Sequence, residues 1–433
     1  MIKNSEEIKQ LYKNDFDASA IDIKNESVVL TDFRKQSLEE FIAIPFPSAK
    51  DEEWRFNNVS PLLENKFTTA KENTANKDTS KIPHKGKIEV SITDANDFSI
   101  SGDIDTLPKG VVVDSIISAS SKYPELFEKY FGKIASSDNC FHSLNGAFLS
   151  QGLFIFIPKN TSIEQIINLN YVNTQSAALF PLRNLLILEE NSTSRIIANY
   201  SGISEGSFSN IVSEAVLNEN AVLDFYKIQE ENDSSFHLEK FQAVQKERSV
   251  LSHYNFTLGG SLVRNDINSR LEGSDAECNL WGIYLGKDKR IVDNHSIVDH
   301  SVPDCRSNEL YKGILDDESR GIFNGKIFVR KDAQKTNAYQ SNKTVLLSDK
   351  ARINTKPQLE IFADDVKCSH GAAIGKLDKA GFFYLRSRGI PAELANSILI
   401  RAFASDVIEK IKIDELKEEL NHKIFEHLHR TEI

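Results

Sequence analysis

Leu153-Phe154-Ile155-Phe156-Ile157, closed by Pro158-Lys159-Asn160, is the stretch whose reading decides the fold class. Five apolar residues ended by a polar turn make a strand, being too short for a core helix. The unit returns as Leu185-Leu186-Ile187-Leu188 before Glu189-Glu190-Asn191, and again as Glu214-Ala215-Val216-Leu217 before Asn218-Glu219-Asn220. The three turn asparagines stand 31 and 29 residues apart. Later, Val329-Arg330-Lys331-Asp332-Ala333 is echoed 18 residues on by Leu347-Ser348-Asp349-Lys350-Ala351. A degenerate repeat of strand-length units, each touching only its neighbours, describes a β-solenoid. An ordinary β-sandwich, or two, also fits this periodicity. The zone runs from about 146 to 372.

Both flanks have helical spacing. In residues 1–145, Asn4-Ser5-Glu6-Glu7 precedes Ile8, Leu11 and Tyr12 in the manner of a capped helix. Ser37-Leu38-Glu39-Glu40-Phe41 reads as the start of a second helix, stopped by Pro45 and Pro47. Residues 65–87 are polar and predict a mobile surface loop, and helical pattern resumes over Ser115–Tyr130. In residues 373–433, Leu394, Ile398, Leu399, Ala402, Phe403 and Val407 form an apolar stripe. A further helix follows from Asp414, with Leu420, Ile424, Phe425 and Leu428. These helices come after the repeat, so they either cap it or dock a partner.

The chain has 433 residues, 40% hydrophobic and 27% charged, which is the composition of a folded globular protein. Its formal charge of −11 argues against nucleic acid or an anionic membrane as the main partner. No apolar run approaches the roughly 20 residues of a membrane span. The opening MIKNSEEIKQLYKND lacks an apolar secretory segment, so a cytoplasmic location is expected. Cys140, Cys278, Cys305 and Cys368 are scattered without a C-x-x-C pair, which predicts free thiols in a reducing compartment.

A Walker A loop, H-E-x-x-H and G-x-G-x-x-G are all missing, and Gly321-Ile322-Phe323-Asn324-Gly325-Lys326 has the wrong spacing for a P-loop. No ATP site is expected in this chain. The stretch that carries chemistry is Asp364-Asp365-Val366-Lys367-Cys368-Ser369-His370-Gly371. On a strand, Cys368 and His370 project from one face, since side chains repeat every two residues. Thiolate and imidazole together suit iron, zinc or the edge of a cluster, but two ligands cannot complete a tetrahedral site. The bland alternative is a packed thiol beside a hydrogen-bonded imidazole. His295 and His300 are read as solvated or turn-capping. His422, His427 and His429 are read as surface residues on a charged helix. Arg386 and Arg388 are read as exposed or ion-paired.

Lys356-Pro-Gln-Leu-Glu-Ile-Phe-Ala-Asp-Asp-Val-Lys-Cys-Ser-His-Gly-Ala-Ala-Ile-Gly375 closely resembles the hallmark of the SufB/SufD family of iron–sulfur cluster assembly proteins. Phe383-Tyr-Leu-Arg-Ser-Arg-Gly-Ile390, Gly321-Ile-Phe-Asn-Gly-Lys-Ile327, Lys335-Thr336, Glu309-Leu-Tyr-Lys-Gly313 and Glu53-Trp-Arg-Phe56 resemble it too. The likeness runs from about residue 50 to 410. Within the family it is to the SufD side: Leu385 stands where SufB-type members carry a functional cysteine, and the chain has few cysteines.

The resemblance implies a right-handed parallel β-helix core between helical N- and C-terminal regions. It implies a non-catalytic subunit of a SufB–SufC–SufD scaffold, paired with a SufB-like paralogue through the β-helix cores. A SufC-like ABC ATPase would dock on the C-terminal helices and hydrolyse the ATP. The chain in isolation is a possible homodimer. Cys368 and His370 would ligate iron or a transient nascent iron–sulfur cluster shared with the partner, with a role in iron acquisition. His370 is favoured, because a neutral imidazole ligates without losing a proton, unlike a thiol of ordinary pKa about 8.5. Cys140, Cys278 and Cys305 are then structural. Two rivals remain: a β-helix carbohydrate-active enzyme using Asp364, Asp365 and Arg386, and a purely structural partner-binding solenoid.

Overall fold

A computed structural model describes residues 5–19, 26–69, 88–102 and 104–427. It is a parallel β-solenoid of about eight turns with helices at both ends. From Leu153–Ile157 to Lys367–Gly375, successive strands alternate between two sheets, so each pairs with the strand two places along the chain. The pairing is parallel and in register over long stretches, as in Lys227↔Asn255 and Gln340↔His370. Parallel strands buried on both faces need apolar or satisfied side chains on each.

The asparagines that mark the repeat explain how the coil turns. Asn160, Asn191 and Asn220 each have φ of 56°, a left-handed conformation that asparagine tolerates better than most residues. They stack at one corner. Asn191 Nδ2 donates to Asn160 Oδ1 at 2.8 Å, Asn220 Nδ2 to Asn191 Oδ1 at 2.7 Å, and Arg248 Nε to Asn220 Oδ1 at 2.7 Å. Buried rings stack by the same repetition: Tyr171 on Tyr200 at 4.7 Å and Tyr226 on Tyr254 at 4.3 Å between centroids. The 18-residue echo joins opposite corners, with Ala333 and Ala351 both buried.

Strands also occur within residues 1–145. Ile88–Thr93 pairs with Asp97–Gly102, and Val112–Ser115 with Leu153–Ile157, all antiparallel. These pairs close the first coil. The helix Val28–Ala43 begins well before Ser37, capped by the Ser27 hydroxyl, which accepts from the Leu30 N–H; Ser37 is buried in its middle. It ends before Pro45, as expected. Ser115 caps the helix Ile116–Lys122, followed by Pro124–Tyr130. Of the expected loop 65–87, residues 70–87 lie outside the described residues, and Thr68–Thr69 pairs with Ala178–Leu179.

The helices Ala392–Ile408 and Asp414–His427 fold back along the outer face of the second sheet. Their buried side is Ala395, Ile400, Ala404, Val407 and Ile408, with Leu416, Leu420, Ile424 and Phe425, packed on Tyr226, Ile228, Tyr254, Phe256 and Ile283. The apolar stripe read from spacing is therefore rotated, since Ala402 is exposed while Ala395 and Ile400 are covered. Lys312 Nζ to Asp406 Oδ2 at 2.5 Å and Tyr254 Oη to the Lys410 carbonyl at 2.8 Å pin the pair in place. No helix among the described residues is long and apolar enough to cross a membrane.

Asn191→Ala forces a left-handed alanine and breaks two ladder bonds, so it costs about 2 kcal/mol in reversible denaturation. Asn191→Gly keeps the backbone and costs about half as much.

Candidate functional site

The two ends of the solenoid differ. The first coil is closed by antiparallel strands and helices, with Phe127, Phe131, Leu30 and Ile116 packed over Phe154 and Leu185. Among the described residues the last coil has no such cover. Arg352–Ile361 and Lys367–Gly375 are the terminal strands of the two sheets, each with one unpaired edge. Large apolar residues stand in the open there: Phe362 at 60% exposure, Ile374 at 52%. The helix Lys379–Ser387 follows with none of its residues buried, and Phe383 is 74% exposed.

Cys368 and His370 lie on this last strand. Their register partners Ala338 and Gln340 are buried, so both point into the mouth of the coil. Cys368 is half-buried against a small cluster that includes Ala338, and His370 is exposed. Burial pushes the Cys368 thiol above its ordinary range. Cys140 and Cys278 are fully buried, their thiols pushed up to about 12 by desolvation; Cys305 is raised to about 11. Among the described residues no three His, Cys, Asp or Glu side chains gather to hold a metal. The mouth therefore presents a thiol and an imidazole, not a complete site.

Below the mouth lies a polar interior. Glu309, buried and one strand beneath Gln340, has its carboxyl raised to about 7 by burial, with bonds from Ser296 and Gln340 working against the rise. Deeper, Lys227 pairs with Glu239, and His237 Nδ1 lies 2.7 Å from Glu231 Oε2, all fully buried or nearly so.

His295 and His300 are not solvated: they are 7% and 0% exposed. They face opposite sides of one strand and cannot share a metal. His300 Nε2 is 2.9 Å from the Ser307 hydroxyl. His295 lies under an N-terminal strap, between Asp293 (2.8 Å) and Glu53 (3.2 Å). Trp54 in the same strap stacks 3.9 Å from the Arg264 guanidinium, which also holds Asp293 at 3.0 Å. Hydrogen bonding to His295 takes Glu53 down to about 2 against the effect of burial. Two clefts of about 530 and 480 Å³ flank the strap.

Arg386 and Arg388 are exposed, Arg386 Nη1 donating to the Ile390 carbonyl at 2.7 Å. Asp364 and Asp365 sit on the exposed corner before the last strand. His422 is exposed, the His427 side chain is not described, and Leu428 and His429 lie outside the described residues. Gly202-Ile203-Ser204-Glu205-Gly206 fits the letters of a nucleophile elbow, but it is a strand–turn–strand corner. Ser204 there is buried and bonded to Ser207 at 3.0 Å, lacking the strand–turn–helix an elbow needs.

Residues 170–403 match the family model described as SUF system FeS cluster assembly, SufBD core domain, and residues 3–169 match the SufBD protein N-terminal region. The chain belongs to the SufBD family. An iron–sulfur cluster assembly SufBD family protein of Synechocystis is 29% identical over 421 residues, covering 90% of each chain. The iron–sulfur cluster assembly protein SufD of Escherichia coli is 35% identical over 209 residues, 48% of this chain and 49% of that protein. SufD of Bacillus subtilis is 25% identical over 404 residues, 90% of this chain and 92% of that one. This SufBD protein is thus an iron–sulfur cluster assembly protein with SufD relatives at modest identity, and its β-solenoid is the fold expected from the resemblance.

The Glu309 carboxyl binds its proton more tightly folded than unfolded. Its contribution is fully present below pH 4.5 and is lost as pH rises through 7. The advantage of Glu309→Gln over the parent should therefore grow by about 3 kcal/mol between pH 4.5 and 8, read from urea midpoints at each pH.

Proposed function

We propose that this chain is the SufD-type subunit of a cytoplasmic SufB–SufC–SufD scaffold. It lends Cys368 and His370 to a nascent iron–sulfur cluster, or to its iron, at an interface with a SufB-like paralogue. The observation that carries this reading is the position of the two ligands at the uncovered end of the solenoid, beside two free strand edges. A partner solenoid placed end to end would pair those edges, cover Phe362 and Ile374, and bring the missing ligands.

ATP chemistry belongs to a SufC-like partner, since this chain has no Walker A loop. The apolar faces of Ala392–Ile408 and Asp414–His427 already rest on the solenoid. Support for docking at the C-terminal region therefore comes from Lys379–Ser387, with Phe383 and Tyr384 at 74% and 57% exposure. The cluster is cargo, built and passed on, and the chain acts as a non-catalytic subunit. An isolated chain would offer the same open end to a second copy, giving a homodimer.

Co-expressed with a cysteine-bearing paralogue and an ABC ATPase, the chain should co-elute with both. His370→Ala and Cys368→Ala should each keep the complex and cut cluster formation, His370→Ala by tenfold or more. Full cluster output from the double variant overturns the ligand assignment. Elution of the chain alone at micromolar concentration overturns the scaffold reading.

A further inference from the structure

The side chain one coil beneath His370 is Gln340, its register partner on Asn337–Leu346, and one coil below that is Glu309. In-register parallel strands lie about 4.8 Å apart, so same-face side chains stack directly. Gln340 is 3% exposed and Glu309 is 4% exposed.

Gln340 is held in one orientation. Its Nε2 donates to Glu309 Oε2 at 2.7 Å, and the Ser296 hydroxyl donates to Glu309 Oε1 at 2.5 Å. Both carboxyl oxygens are engaged as acceptors in this arrangement. The amide turns its nitrogen toward Glu309 and its oxygen away. Space is reserved for this pose: a Cβ on Gly325 would stand 2.2 Å from Gln340 Nε2. The amide oxygen Oε1 is buried and has no partner. An orphaned acceptor of this kind costs about 1–3 kcal/mol, so its persistence needs a reason.

His370 stands exposed at the mouth above this oxygen. Among the described residues no hydrogen bond reaches its ring. An imidazole that ligates a metal through one nitrogen almost always donates the other N–H to a fixed acceptor, which sets the tautomer and the ring orientation.

We infer that Gln340, locked by Glu309, is the positioning residue for His370: its Oε1 accepts the ring N–H and leaves the other nitrogen's lone pair facing iron. This rests on the ligand role proposed above for His370. It adds a specific set of outer residues, Gln340, Glu309 and Gly325, that prepare one ligand from inside the solenoid.

The test is anaerobic Fe(II) titration of the full chain in complex with its SufB-like paralogue. Gln340→Met conserves volume and removes the acceptor, and should weaken Fe(II) binding about 10- to 100-fold. Glu309→Gln unlocks the amide and should weaken it less. The exchange E309Q/Q340E restores a donor–acceptor pair and again presents an oxygen to His370, so it should recover most of the loss, which repair of packing alone would not do. If Gln340→Met binds Fe(II) as the parent does while His370→Ala does not bind, the inference falls and the ligand reading stands. If His370→Ala binds as the parent does, both fall. Loss in Gln340→Met without recovery in the exchange variant assigns Gln340 to packing and overturns the inference. Should Gln340→Met fail to fold, Glu309→Gln decides: parent-like affinity there overturns the lock.

Discussion

Parallel in-register pairing is the constraint from which the rest follows. Each coil lays its residues on those of the coil before, so a side chain's neighbours are set by counting about 30 positions along the chain. The same rule makes the asparagine corner, the tyrosine stacks and the column of Glu309, Gln340 and His370. It also commits every coil to having two neighbours. The first coil obtains its second from antiparallel strands and helices; among the described residues the last has none.

Charges are admitted to this interior only in company. Lys227 is buried against Glu239; burial pushes its ammonium down, and that carboxylate works against the fall. Removing one such partner is far more harmful than never having had the pair. Glu309 differs because its company is neutral, a hydroxyl and an amide, and its carboxyl is raised rather than lowered. The strap on the outer face is a third case. There Glu53, Asp293, Arg264 and His295 share charge around Trp54 and tie residues far apart in sequence.

Much of the solenoid was legible because its corners repeat a chemical solution: an asparagine where the backbone must turn left-handed, at spacings that match one coil. Cys368 and His370 were legible because strand parity puts both on one face. What stayed hidden depended on contacts between distant segments. His295 looks solvated until the strap carrying Glu53 and Trp54 is laid over it. The helix stripe came out rotated because the sheet, not the helix, selects which side is covered, and Ala395 counts as much as Leu394 when the neighbour is a flat row of tyrosines. Glu309 and Gln340 stand 31 and 30 residues before their partners above, the same period as the asparagines, but their alignment means nothing until the register is known.

A stack of identical pairing rules is, in principle, a template for endless growth, as fibrils show. Among the described residues the first coil is blocked and the last is bare, which leaves one end open to growth. Two such solenoids meeting at those ends would bury the uncovered tips seen among the described residues, and growth would stop at a pair. The helices that cover the first coil would thus limit such growth from the far end of the molecule, without touching the uncovered coil.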